Sequence, residues 1–384
     1  MGVGDVLGSE MRTFQDPFTG AAVHQLTDWR AHSHHPYFTN SGLWDGGRRL
    51  VVGSDRHNRR NLYSVELAGG EITPLTDLPA DEPAHTQRVF LNPKRDEAYL
   101  EVGPRLVALD LRTGAQRELF VTPEGYLPGN FSCTADGKTI CHVVQQDFGD
   151  RIFRSFGYTG FREYSAARPH CVIHAIDVDD GSHRAVYEEE FWLGHVNTSP
   201  ALANVLTFCH EGPWSTIDQR MWVLDVATGR AEPLRPQAPG EALGHEYWLA
   251  DGERVGYHGR KDGVHRFGVI RWDNTAGIEY DFPHSSTHFH SLDETLIVGD
   301  GGRGEPYLLI WRLRDGAYDG PRRLAWHRGS FHVQIVHVHP RMFRRPDGQT
   351  CVLYTSDHNG YGNVFLAEVP AFEDLPPVPQ EDAT

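Results

Sequence analysis

At 384 residues the chain exceeds a common single domain, yet repeat-built all-β proteins reach this length as one unit, so a second domain is not required. Its 40 glycines, 24 prolines and 11% aromatic residues describe a turn-rich β protein with a large apolar core. A formal charge of −16 excludes a general nucleic-acid partner while leaving room for a local cationic patch that binds an anion.

The start, Met1-Gly2-Val3-Gly4-Asp5, lacks the basic region and apolar core of a secretion signal, and no apolar run reaches a membrane span. A cytoplasmic chain with no membrane partner is expected. Cys133, Cys141, Cys171, Cys209 and Cys351 are odd in number and scattered, mostly among apolar neighbours, which suits reduced core thiols better than disulfides.

After an N-terminal extension over 1–18, one phrase recurs: a short apolar strand, a turn with Gly or Asp, then a second strand. It is seen at Leu62 to Leu67, Leu106 to Leu111, Ile173 to Val178, Met221 to Val226 and, more loosely, Phe267 to Trp272 and Leu308 to Leu313. Hairpin turns stand upstream of most copies, at Asp45-Gly46-Gly47, Asp136-Gly137-Lys138, Asp251-Gly252-Glu253 and Asp347-Gly348-Gln349. The copy Val364 to Val369 lacks its partner strand, and Ala22 to Thr27 supplies one from the other end of the chain. Four strands per unit and seven units predict an all-β, seven-bladed β-propeller whose ring is closed by an N-terminal strand completing the last blade. A parallel β-helix has too short a period to fit.

In chain order the blades are expected over 34–77, 85–121, 128–188, 195–236, 245–283, 288–326 and 333–369 plus 19–28, within one domain spanning 19–370. The third carries an insertion, 147–170, whose Arg151, Arg154, Arg162 and Arg168 alternate with aromatic residues, which suits a loop folded over one face. Residues 371–384, with three prolines and four acids, are expected to be a disordered tail.

The 23 histidines cluster where innermost strands begin, so imidazoles from several blades should converge on one channel mouth. Loops between second and third strands emerge on that face with Arg59, Arg60, His210, Trp214, Arg220 and Arg303, groups suited to an acidic ligand. In the densest stretch, Phe331 to Pro340, His337 and His339 share a face of an extended segment and can grip a divalent cation. Gln334 has the opposite parity and joins them only if the backbone bends.

Four motifs in order resemble the oligogalacturonate lyases: His210-Glu211-Gly212-Pro213 running to Arg220-Met221-Trp222, His245-Glu246-Tyr247-Trp248, His288-Phe289-His290-Ser291 with Gly299-Asp300-Gly301, and Gln334 to Pro340. They cover the C-terminal half closely and the N-terminal half by blade pattern alone. The resemblance implies a Mn²⁺ ion, with Zn²⁺ acceptable to the same donors, held by His288, Gln334, His337 and His339. It also implies His245 as the proton-abstracting base and Arg220 as the active-site arginine. His290 stands where an apolar residue is expected and is the alternative sixth-blade ligand. The implied reaction is β-elimination on a short 4-linked uronate oligosaccharide, with no implication for oligomeric state. The rivals are an isomerase, an epimerase or a lyase for another uronate on the same propeller, and a non-catalytic binding propeller of the TolB type. A prolyl-oligopeptidase reading needs a Gly-x-Ser-x-Gly elbow, which is not in the sequence.

Overall fold

The structure is a computed structural model that describes residues 2–82, 84–154, 158–282, 284–301 and 304–378. Among the described residues the chain forms seven antiparallel sheets of four or five strands and one α-helix, Phe161–Ala166, so the fold is the expected seven-bladed β-propeller. The turn chemistry is local and visible in the hairpins. In one, Gly252 takes φ of +68°, while the Asp251 carboxylate accepts hydrogen bonds from the backbone N–H groups of Glu253 and Arg254 at 2.9 and 3.0 Å.

The chain divides into two compact units. The first comprises Met1–Val89, Leu111–Gly114 and Phe282–Thr384 and holds blades one, six and seven. In blade seven, Arg341–Arg344, Thr350–Ser356 and Asn363–Glu368 are completed by Ala22–Gln25, which runs antiparallel with Val23 opposite Ala367 and Gln25 opposite Phe365. Val23, Phe365, Val352, Tyr354 and Met342 share one apolar cluster with Val298, Leu308 and Ile310 of blade six, so the closing strand is anchored by packing as well as by ladder hydrogen bonds.

Three boundaries in this unit differ from expectation. The last blade begins at Arg341 rather than 333, because His339 takes φ of +47° and interrupts an extended run just before Pro340. Residues 1–18 are more than an extension: Arg12–Gln15 adds a fifth strand beside Ala22–Gln25, and Leu7 bridges to Ile72. Residues 371–378, expected to be disordered, are packed. Phe372 lies under the guanidinium groups of Arg312 and Arg322 at 4.4 and 4.8 Å, and Leu375 is buried. Counting prolines and acids concealed these two apolar anchors.

The second unit, Phe90–Asp110 with Ala115–Asp281, holds blades two to five. The blade-three insertion leaves between the strands Thr139–Gln146 and His170–Asp177 and folds back as the helix Phe161–Ala166. Tyr164 of that helix is buried edge-on against Trp192 at 5.0 Å, and Arg154 spans both rings at 4.1 and 4.8 Å. Part of the arginine and aromatic content is thus internal packing.

Candidate metal centre and base cluster

In the first unit, His288, His337 and His339 are all buried, and each offers a donor atom within 4.8 Å of the others. Ring centroids lie 4.4 Å apart for His288 and His339 and 5.5 Å apart for His337 and His339. The route to this convergence differs from a plain strand. A single 3-10 turn, Gln334–Val336, closes with the His337 amide on the Gln334 carbonyl at 3.2 Å, and this is the bend that Gln334 needed. Its side-chain amide lies 3.3 Å from Nε2 of His339. Turning that amide by 180° presents Oε1 to the imidazoles, the donor a divalent cation takes.

The supporting residues were not anticipated. His288 donates its Nδ1 hydrogen to Asp300 at 2.6 Å, which puts the ring lone pair on Nε2 and fixes the ring. The other carboxylate oxygen of Asp300 accepts the backbone N–H groups of Thr287 and His288. Burial favours the neutral acid at Asp300, but His288 and these amides outweigh it and hold the carboxyl below its usual range. Tyr37 and Phe38 form an aromatic wall, with Tyr37 4.8 Å from the His339 ring and Phe38 5.4 Å from the His288 ring. Gln87 faces Nδ1 of His339 at 3.3 Å. Asp300 had a signal, since it lies in the Gly299-Asp300-Gly301 motif; Tyr37, Phe38 and Gln87 had none.

His290 is placed differently from its neighbour two residues back. Its Nδ1 accepts the backbone N–H of Met342 at 3.1 Å, and Nε2 lies 3.5 Å from Arg341, so the structure brings His288 rather than His290 to the other two histidines. Three imidazoles, one of them backed by a carboxylate, and an amide oxygen fit a divalent first-row cation.

In the second unit, His245 sits on a bulge in the strand Ala242–Trp248, where the register shifts between Gly244 and Tyr247 and His245 takes φ of +51°. The preceding blade repeats the device, with His195 at φ of +49° after Gly194. Such a conformation costs a side-chain-bearing residue on the order of 1–3 kcal/mol and persists where the surroundings dictate it. Here the surroundings include Trp214. A Cβ on Gly244 would stand 2.3 Å from the Trp214 ring, whose edge meets the His245 ring at 5.7 Å.

Arg220 lies beside this group, 2% exposed, with its guanidinium 5.9 Å over Trp214, 3.1 Å from Glu211 and 3.9 Å from the fully buried Glu246. Burial favours the neutral form of both glutamates. Arg220 and His195 offset this at Glu211, and His195 and Arg220 at Glu246, so both carboxyls titrate below their usual range. His195, Cys209 and Glu211 also lie within metal-ligand reach of one another. Arg220 already supplies the cation that these carboxylates need, which argues against a second metal there.

The other expected contacts fall into different settings. His210 is buried, with Nε2 at 3.0 Å from Glu189 and its ring stacked 4.0 Å from Phe191. Arg59 pairs with Asp77 at 2.6 Å and Arg60 is half-buried next to it in sequence. Arg303 lies outside the described residues. Arg56, three residues before Arg59, is buried in a two-pronged pair with Glu10.

A family model described as oligogalacturonate lyase matches residues 1–372. The chain belongs to the oligogalacturonate lyase family. An oligogalacturonide lyase of Pectobacterium atrosepticum is 28% identical over 400 residues, covering 96% of this chain and 99% of the relative. An oligogalacturonate lyase of Dickeya dadantii is 27% identical with the same coverage. A solved oligogalacturonate lyase in complex with manganese superimposes with a TM-score of 0.86 at 26% identity, covering 97% of this chain and 99% of that one. The manganese complex of this relative supports a divalent metal in the family, and His288, His337 and His339 form a group that could hold one. Among the described residues no helix is long and apolar enough to cross a membrane.

Proposed function

We propose that the protein is a metal-dependent lyase that cleaves short oligogalacturonides by β-elimination. The observation that carries this reading is the buried trio His288, His337 and His339 with Asp300 behind His288, in a chain of the oligogalacturonate lyase family. His288, His337, His339 and Gln334 hold the ion, and Mn²⁺ is the ion proposed, supported by the manganese complex of the structural relative. When bound, it stabilises the negative charge that develops on the substrate carboxylate.

His245 takes the proton from C5 of the uronate. The electron pair of that C–H bond becomes the C4–C5 double bond, and the O4 substituent leaves with the bonding pair and takes a proton from solvent, which the proton later released from His245 replaces. No water is consumed. Arg220 is the electrostatic partner of this step: together with Glu211 and Glu246 it sets the charge around the strand that carries His245. Trp214 packs against His245 and holds its ring, while Arg59, Arg60 and Arg303 are proposed to meet the acidic chain. The setting proposed is the cytoplasm, in the breakdown of pectin fragments, supported by five cysteines that are all buried and unpaired.

The test is ultraviolet absorbance on a panel of uronate oligosaccharides with manganese-loaded protein. Rising absorbance from the conjugated C4–C5 double bond is expected with oligogalacturonides. His245→Ala should lose about 10²–10⁴-fold in rate and keep its metal. Absence of product with every uronate oligomer overturns the lyase reading, and an unchanged rate in His245→Ala removes the base.

A further inference from the structure

His258 lies on the strand next to His245, directly opposite Gly244 in the ladder, and only 8% of it is exposed. Its Nε2 is 3.1 Å from Nδ1 of His245, and the two rings are nearly parallel, 22° apart with centroids at 5.3 Å. The edge of Trp214 meets both, at 5.7 and 5.6 Å, while the His195 ring stacks on His245 at 6.0 Å. The His245 ring is therefore bracketed, with one nitrogen turned onto another histidine.

We infer that His258 is a positioning residue that fixes the tautomer of His245, so that Nε2 of His245 is the atom that accepts the substrate proton. The inference rests on the lyase reading. A contact between two imidazole nitrogens holds one hydrogen and one lone pair. If His258 donated from Nε2, the hydrogen of neutral His245 would sit on its own Nε2, leaving no lone pair for the C5 proton. The productive arrangement is the reverse: His245 donates from Nδ1 to Nε2 of His258, and His258 carries its own hydrogen on Nδ1. When Nε2 of His245 takes the C5 proton, the Nδ1 hydrogen bond becomes charge-assisted and shortens. His258 neither gains nor loses a proton. The transferred proton leaves His245 to solvent after the sugar fragments separate.

The test combines kinetics with a spectroscopic readout. His258→Ala is expected to lower kcat about ten- to a hundredfold, by analogy with the loss when the partner that orients a metal-bound histidine is removed, with KM little changed. His258→Gln, whose amide oxygen can accept the same hydrogen, should recover most of that loss. Nitrogen NMR on the full chain loaded with diamagnetic zinc should show a protonated, pyrrole-like Nδ1 and a pyridine-like Nε2 for His245, and a mixture of tautomers in His258→Ala. A pyridine-like Nδ1 in the unmodified protein, or an unchanged kcat in His258→Ala, overturns the inference. If no uronate gives product at all, the lyase reading fails, while the tautomer is still read independently by NMR.

Discussion

Asp300 accepts the Nδ1 hydrogen of His288 at 2.6 Å and, through its other oxygen, the backbone amide of the same residue at 3.0 Å. One carboxylate thus fixes both the ring and the backbone of a proposed metal ligand. Asp300→Asn removes the negative charge that strengthens the ligand and is expected to weaken divalent-cation affinity about 10–100-fold while the blade stays folded. Metal titration calorimetry alongside a thermal melt separates the two effects.

His337→Ala and His339→Ala should each abolish stoichiometric metal without unfolding the propeller. His290→Ala should retain metal, because the side chain serves the Met342 amide instead. Elemental analysis of the purified variants checks this, and metal lost in His290→Ala but kept in His288→Ala would move the ligand by two residues.

Deleting residues 1–28 strips two strands from blade seven and exposes the edge of Asn363–Glu368, Phe365 included, with which Ala22–Gln25 pairs. Most of the stability or solubility is expected to go. A truncated chain that melts like the full one would contradict ring closure through Val23 and Ala367.

Removing Arg220 leaves the half-buried Glu211 and the buried Glu246 without their guanidinium. Arg220→Met is expected to cost about 3–5 kcal/mol of stability, the penalty for orphaning buried charge. The double variant with Glu246→Gln should recover part of it. Denaturant unfolding of the single and double variants measures the coupling.

Burial pushes the His34 pKa down to about 4, with Nε2 at 3.0 Å from Thr86 Oγ1. The folded pKa lies below the unfolded value, so the unfolded chain binds more protons between the two. Stability is fully present above about pH 6.5 and falls as the pH drops toward 4, by on the order of 3 kcal/mol from this residue. Denaturation midpoints at pH 7.5 and 5 should differ less in His34→Gln than in the unmodified chain.

The seven-blade repeat and the strand that closes it were legible in the sequence, because period-two apolar patterning and Asp-Gly turns are local properties of the chain. The pairing of Ala22–Gln25 with Asn363–Glu368 could be read because one copy of the repeat lacked a strand and one strand lacked a copy. His337 and His339 could be read as a pair for the same local reason, even though a 3-10 turn and a left-handed His339 bring them together rather than a strand. The left-handed histidines after Gly194 and Gly244 carried a sequence signal, a Gly-His pair near the start of successive blades, that only became meaningful once the bulges were seen. Tertiary structure alone decided the rest. Asp300 behind His288, Glu246 between His195 and Arg220, and His258 against His245 are contacts between segments whose spacing in sequence encodes no distance. Whether a polar side chain orients a ligand, balances a buried charge or faces solvent depends on which strand lies beside it.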